Sequence, residues 1–264
     1  MFKRYVLLVF LSFQVISSDK PLRVATGNYP PFTGNQLIDD GFVNHIIRLA
    51  MATQRIQVEF VYLPWKRSFQ SAKLGQFEMA SYWVCEPQYQ QDFYCSDHVY
   101  QGTLKLYFRK ETPLPKWQTI RDLQPYRIGA ILGYEYVPEF HQAIVQDDLD
   151  VIMVSNDQLS LNMLLNERVD LVVLSEIAMQ TLLKQHFSQQ QASKIQVHPK
   201  PFLEYQAHIL FPKVREGSTA TKDSFNRGLK KLKNSGELQK QWQRMLDGEF
   251  SAKKNMQAEK EHKR

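Results

Sequence analysis

The sequence predicts an α/β protein of two Rossmann-like lobes, each a layer of helices on a mostly parallel sheet. Two strand–helix–strand–helix–strand series follow one another along the chain, the mark of helices packed on parallel strands. Proline-bearing breaks separate the series, at 111–115 and around Pro199 and Pro201. The 264 residues suffice for two lobes of about 100 residues each once the ends are set aside.

The first series opens at Leu22-Arg23-Val24-Ala25-Thr26, which alternates and reads as a short strand. Gly27, Asn28, Tyr29, Pro30 and Pro31 end it. From Gly41 a helix is predicted, because Phe42, Ile46, Leu49 and Ala50 recur at helical spacing, with Asp39 or Asp40 placed to cap it. Residues 58–62 form a second strand, halted by Pro64. Trp65, Phe69 and Ala72 mark a second amphipathic helix ending near Gly75, and residues 79–84 a third strand. Residues 103–109 alternate again, with Leu104, Leu106 and Phe108 on one side.

The second series begins with a strand at 127–132, Gly133, and a helix around 139–146. A strand at 151–154 leads to a helix at 157–167, capped by Ser155 or Asn156. A strand at 169–174 and a helix at 176–186 complete it. Residues 207–211 are strand-like, and a last helix is predicted over 222–246, interrupted near Ser235-Gly236.

The ends differ from the body. Lys3 and Arg4, an almost unbroken apolar run over 5–16, then Ser17 and Ser18 have the layout of a secretory signal over residues 1–18. The run is shorter than the roughly 20 residues that span a bilayer, although an uncleaved anchor is the alternative. A periplasmic protein is therefore expected. The formal charge of +6 loses two with the leader and three with a basic tail at 251–264, which is expected to be disordered, leaving about +1 on the body. A nucleic-acid binder would carry its basic stripe on the folded face, so no nucleic-acid partner is expected.

Cys85 and Cys95 could bridge across ten positions in an oxidising compartment, with two buried thiols as the alternative. Catalytic templates are missing: the chain has no GxSxG, Walker loop, HExxH or strand-linked GxGxxG. The seven histidines are scattered without metal-ligand spacing. Asp147, Asp148 and Asp150 sit where a helix hands over to a strand and read as a solvated turn.

Four segments together resemble the bacterial extracellular solute-binding proteins of family 3, typified by the periplasmic amino-acid receptors. They are Gly27-Asn28-Tyr29-Pro30-Pro31-Phe32 with Gly41-Phe42; Pro64-Trp65-Lys66-Arg67 with Leu74-Gly75-Gln76-Phe77-Glu78; Gln90-Gln91-Asp92-Phe93-Tyr94-Cys95-Ser96; and Asp122-Leu123, Ile128-Gly129, Gly133 and Arg168-Val169-Asp170. The resemblance implies the type II periplasmic binding protein fold, two lobes joined by a two-strand hinge with ligand clamped between them. Lobe 1 would comprise 21–108 and 207–250, and lobe 2 109–206. The resemblance also implies a monomer that holds a small molecule without cofactor or catalysis and meets a membrane permease of the ABC type or a receptor.

Two departures bear on the ligand. Receptors of this family that bind amino acids look to an arginine shortly before the Cys95-Ser96 position, and this chain has Tyr89 and Gln90 there. The acid expected in the second lobe falls at Ser175, with Glu176 beside it, and the small hydroxyl residue after Gly133 is Tyr134. An ordinary α-amino acid is thus not the expected ligand. Tyr29, Phe32, Trp65, Trp83 and Tyr134 lie at or near strand ends facing the expected cleft, where stacking suits a flat ring or a quaternary or guanidinium cation. For each the alternative is core packing. Arg67 is the remaining fixed cation there, unless it is a solvated helix residue, and Glu176 could receive a cation or serve its helix start. Delivery to a transporter is the favoured reading. A sensor reporting to a membrane receptor, or a cyclohexadienyl-dehydratase-like enzyme on the same scaffold, are the competitors.

Overall fold

The structure is a computed structural model that describes residues 20–113 and 116–252. The predicted leader, Leu114 and Pro115 of the crossing, and the basic tail from 253 onward lie outside the described residues.

Strands β1 (Leu22–Thr26), β2 (Val58–Tyr62) and β3 (Met79–Val84) alternate with helices α1 (Phe42–Ala52) and α2 (Trp65–Lys73). β4 (Phe93–Cys95) and the longer β5 (Tyr100–Arg109) follow. The second series is β6 (Arg127–Ile131), α3 (Pro138–Val145), β7 (Asp150–Val154), α4 (Asp157–Leu165), β8 (Leu171–Ser175) and α5 (Glu176–His186). A single turn, α6 (Gln189–Ala192), leads into β9 (Ile195–Pro212), and α7 (Ser218–Asn234) and α8 (Glu237–Leu246) close the chain.

The strands form one sheet in the order β2-β1-β3-β9-β5-β8-β6-β7, with β4 on β9. β1 runs parallel to β2 and β3, and β6 runs parallel to β7 and β8, so each series makes its own three-stranded parallel layer. Between the layers β5 and β9 pair antiparallel, from Tyr100 opposite Ala207 to Arg109 opposite Ile195. β9 also pairs with β3 through Ala207 and Leu210, while β5 pairs with β8 through Leu104 to Phe108. These two strands therefore carry the chain from one layer to the other. β8 is buried along its whole length, as a strand covered on both faces must be. α1 buries the stripe Phe42, Val43, Ile46, Ile47, Ala50 and Met51, and Phe225, Leu229 and Leu232 of α7 belong to the same core. At Gly228 the two helices approach so closely that a Cβ would press on the Ala50 carbonyl.

Three expectations are corrected. Asp39 and Asp40 do not cap α1. They form a short 3-10 turn in which both have positive φ, and Gly41, at φ 88, is the N-cap. A Cβ at Gly41 would lie 2.7 Å from the Phe32 carbonyl oxygen, so only glycine fits the capping position. Asp40 instead accepts from Arg48 at 2.5 Å. Pro199 and Pro201, read as a break, lie inside β9, where the register against β5 shifts around Lys105 and a proline interrupts no regular ladder. The last helix starts at Ser218, after Gly217 at φ 79, and its predicted interruption at Ser235-Gly236 separates α7 from α8. The cap of α4 is Asn156, whose side chain accepts from the Leu159 amide at 2.9 Å. Cys85 and Cys95 form a disulfide, their Cα atoms 6.1 Å apart, which ties the end of β3 to β4.

Candidate functional site

The carboxyl ends of β1, β3, β6 and β8 face one another across the β5–β9 pair, the place where α/β sheets bind ligands. There a pocket is lined by Tyr29, Trp65, Tyr82, Trp83, Tyr134 and Tyr205, together with Val84, Leu104, Gly133, Glu135 and Ala207. Both layers contribute to its walls.

Local chemistry explains how the rings reach it. Tyr29 sits in a tight turn after β1, its amide donating to the Thr33 carbonyl at 2.7 Å, and the Thr33 hydroxyl returns to the Gly27 carbonyl at 2.8 Å. Gly27 is glycine because a Cβ there would lie 2.5 Å from the Trp65 ring. Trp65, at the start of α2, meets Trp83 edge to face at 5.6 Å between centroids. Tyr82 precedes Trp83, and in a regular strand the two would face opposite sides. They share the pocket because β3 is irregular here: its register against β9 shifts between Ala80 and Trp83, and Tyr82 has φ 63. The Tyr82 hydroxyl meets that of Tyr205 at 2.8 Å.

Tyr134 stands on the turn after β6, which Gly133 opens at φ 82. Its hydroxyl donates to Asp157 Oδ2 at 3.0 Å, and its ring meets Tyr29 from the other layer at 4.9 Å. The Tyr89 hydroxyl donates to Glu135, a second contact across the cleft. Burial raises the pKa of Tyr29, Tyr82 and Tyr134, so these phenols stay neutral at physiological pH. Asp157, at the first position of α4, is pushed up to about 7 by burial, an effect that the Tyr134 hydrogen bond partly offsets. Its Oδ1 has no hydrogen-bond partner, nor have the buried Trp83 Nε1 and Ser175 Oγ.

The profile of the bacterial extracellular solute-binding proteins, family 3, matches residues 22–247. The chain belongs to that family. Solved structures share the fold of this family 3 solute-binding protein. An ancestral arginine-binding protein bound to arginine superposes with a TM-score of 0.69 at 17% identity, covering 85% of this chain and 97% of its own. A histidine kinase sensor domain with similarity to periplasmic binding proteins gives 0.69 at 14%, covering 85% and 95%. An amino acid ABC transporter substrate-binding protein from Streptococcus pneumoniae, bound to L-arginine, gives 0.67 at 18%, covering 88% and 96%. No curated protein matches the sequence. At these identities the likeness establishes the type II periplasmic binding fold, two α/β lobes on a shared sheet. No helix among the described residues is long and apolar enough to cross a membrane.

Of the residues singled out from the sequence, the solute-binding protein brings Tyr29, Trp65, Trp83 and Tyr134 onto the pocket wall. Phe32 is fully buried one layer back, packed on Tyr29, Tyr82 and Tyr100. Ser175 is buried at the end of β8, opposite Leu104. Glu176 does not line the pocket and pairs with Lys105 at 3.1 Å. Arg67 is exposed on α2, turned away from the lining. A helix presents to the sheet only the residues in phase with its buried stripe, and on α2 those are Ser68 and Ala72. Tyr82, Tyr205, Glu135 and Asp157 were not anticipated. Tyr82 is invisible to a period-two reading, Tyr205 lies beyond the prolines of β9, and Asp157 reads locally as an ordinary first-turn acid.

Proposed function

We propose that the protein captures a small solute between its two lobes in the periplasm and delivers it to a membrane permease of the ABC type. A pocket walled by aromatic rings from both layers carries this reading. A ligand touching Tyr29 and Trp83 on one side and Tyr134 on the other gains contacts in the closed state that the open state lacks. Its differential affinity then holds the lobes together. In this reading lobe 1 comprises 21–108 and 207–250, lobe 2 comprises 109–206, and β5 and β9 form the hinge.

The ligand is a polar or aromatic-compatible solute other than an ordinary α-amino acid. No arginine or lysine is among the described residues lining the pocket, so nothing there grips an α-carboxylate in the two-bond manner of a guanidinium. The same lack speaks against prephenate-like acids and so against a dehydratase. A sensor role has a specific observation behind it, the similarity to a histidine kinase sensor domain. A thermal-shift screen of the chain without its leader against a metabolite library tests capture, since a ligand of the folded state must raise Tm. Tyr29→Ala and Tyr134→Phe/Trp83→Ala variants should lose the shift while remaining folded. Retention of the full shift in these variants would place the site elsewhere. Co-purification with a permease as against a receptor separates the two roles.

A further inference from the structure

We propose that the solute is an organic cation without a carboxylate, an amine, guanidinium or quaternary ammonium compound, and that Asp157 supplies its counter-charge. This deepens the capture reading and rests on it. Six aromatic side chains line the pocket, and their electron-rich faces attract a cation placed over them. The acidic group on the lining is Glu135, and no basic side chain is among the described lining residues. Behind the wall, Asp157 is 7% exposed and holds the Tyr134 hydroxyl with one oxygen, while the other has no partner. A buried carboxylate oxygen left unpartnered is destabilising unless something of opposite charge or a donor arrives.

The groups electrostatically coupled to Asp157 are Tyr134, Tyr29 and Tyr136, three neutral phenols from the turns on either side of the cleft. None of them can neutralise it. A cation in the pocket, placed against the touching rings of Tyr29 and Tyr134, would lie on the other side of the wall that Asp157 backs. An anionic or zwitterionic ligand would instead bring its carboxylate toward Asp157, Glu135 and the negative faces of the rings, without a cationic partner. The ring hydroxyls of Tyr29, Tyr82 and Tyr205 add neutral acceptors for ammonium or guanidinium protons.

The test compares matched pairs by calorimetry and thermal shift: agmatine with L-arginine, tyramine with L-tyrosine and histamine with L-histidine. Choline and a library of neutral and anionic metabolites complete the set. We expect at least one amine to bind, and to bind at least tenfold more tightly than its amino-acid counterpart. Its affinity should fall more than tenfold between pH 8 and pH 5.5, because protonation of Asp157, raised to about 7, removes the counter-charge. Asp157→Asn should weaken the amine at least tenfold and abolish this pH dependence, while its own Tm without ligand is maintained or raised. Should only amino acids, anions or neutral compounds bind, the cation inference is overturned and capture stands. An amine whose affinity is unchanged in Asp157→Asn overturns the role of that residue. If no compound of any class binds, the capture reading itself fails.

Discussion

Asp157 is where burial and charge oppose each other most directly. In the unfolded chain its carboxyl has the ordinary value of about 3.8, and in the fold burial pushes it up to about 7. Between these values the folded state binds the extra proton, so stability falls as pH rises from about 4 to about 7 and is level above that. The shift corresponds to a penalty on the order of 4 kcal/mol for the ionised, unliganded protein. Asp157→Asn should therefore raise Tm at pH 8 and flatten the slope between pH 4 and pH 7, measured by calorimetry at a series of pH values. Its role was not legible in the sequence, because burial of a first-turn acid depends on what the β6 turn and the opposite lobe lay over it. Tyr82 makes the same point for the backbone. Strand alternation assigns it away from Trp83, and only the irregular pairing of β3 with β9 turns both rings inward.

At the scale of elements, the sequence was informative wherever the signal was local. α4 begins where the Asn156 cap predicts it, and Asn156→Ala should lower stability by about 1 kcal/mol in chemical denaturation. The packing of α7 on α1 needs glycine at 228. Gly228→Ala should destabilise by about 1–3 kcal/mol, since the added methyl must displace the Ala50 carbonyl, even though alanine favours an isolated helix. That sign reversal distinguishes packing from propensity in one measurement. β9 was half hidden for the opposite reason. Its prolines break the local pattern, while its pairing with β5, β3 and β4 comes from residues far away in sequence.

For the whole molecule, two contacts join the first α/β series to the second, Tyr29 against Tyr134 and Tyr89 with Glu135, and the proposed closure would depend on them. Tyr89→Phe removes a hydrogen bond that, on the proposed mechanism, forms only when the lobes meet. At about 1 kcal/mol it should raise the Kd of a verified ligand roughly fivefold while leaving the Tm of the free protein nearly unchanged. The Cys85–Cys95 bridge closes a ten-residue separation between the end of β3 and β4. Replacing both cysteines with serine should lower stability by about 3 kcal/mol, read as an earlier denaturation midpoint.

Hydrophobic periodicity, turn residues and caps act over a few positions, and they were enough to specify the two α/β series, the order of their elements and four of the six rings that now face the cleft. The pairing of β9 with β3, β4 and β5, the irregular stretch that exposes Tyr82 to the pocket and the burial of Asp157 beneath Tyr134 were decided only in the folded molecule. Each depends on residues brought together from distant parts of the chain, and a period read along one segment carries no information about its neighbours in space.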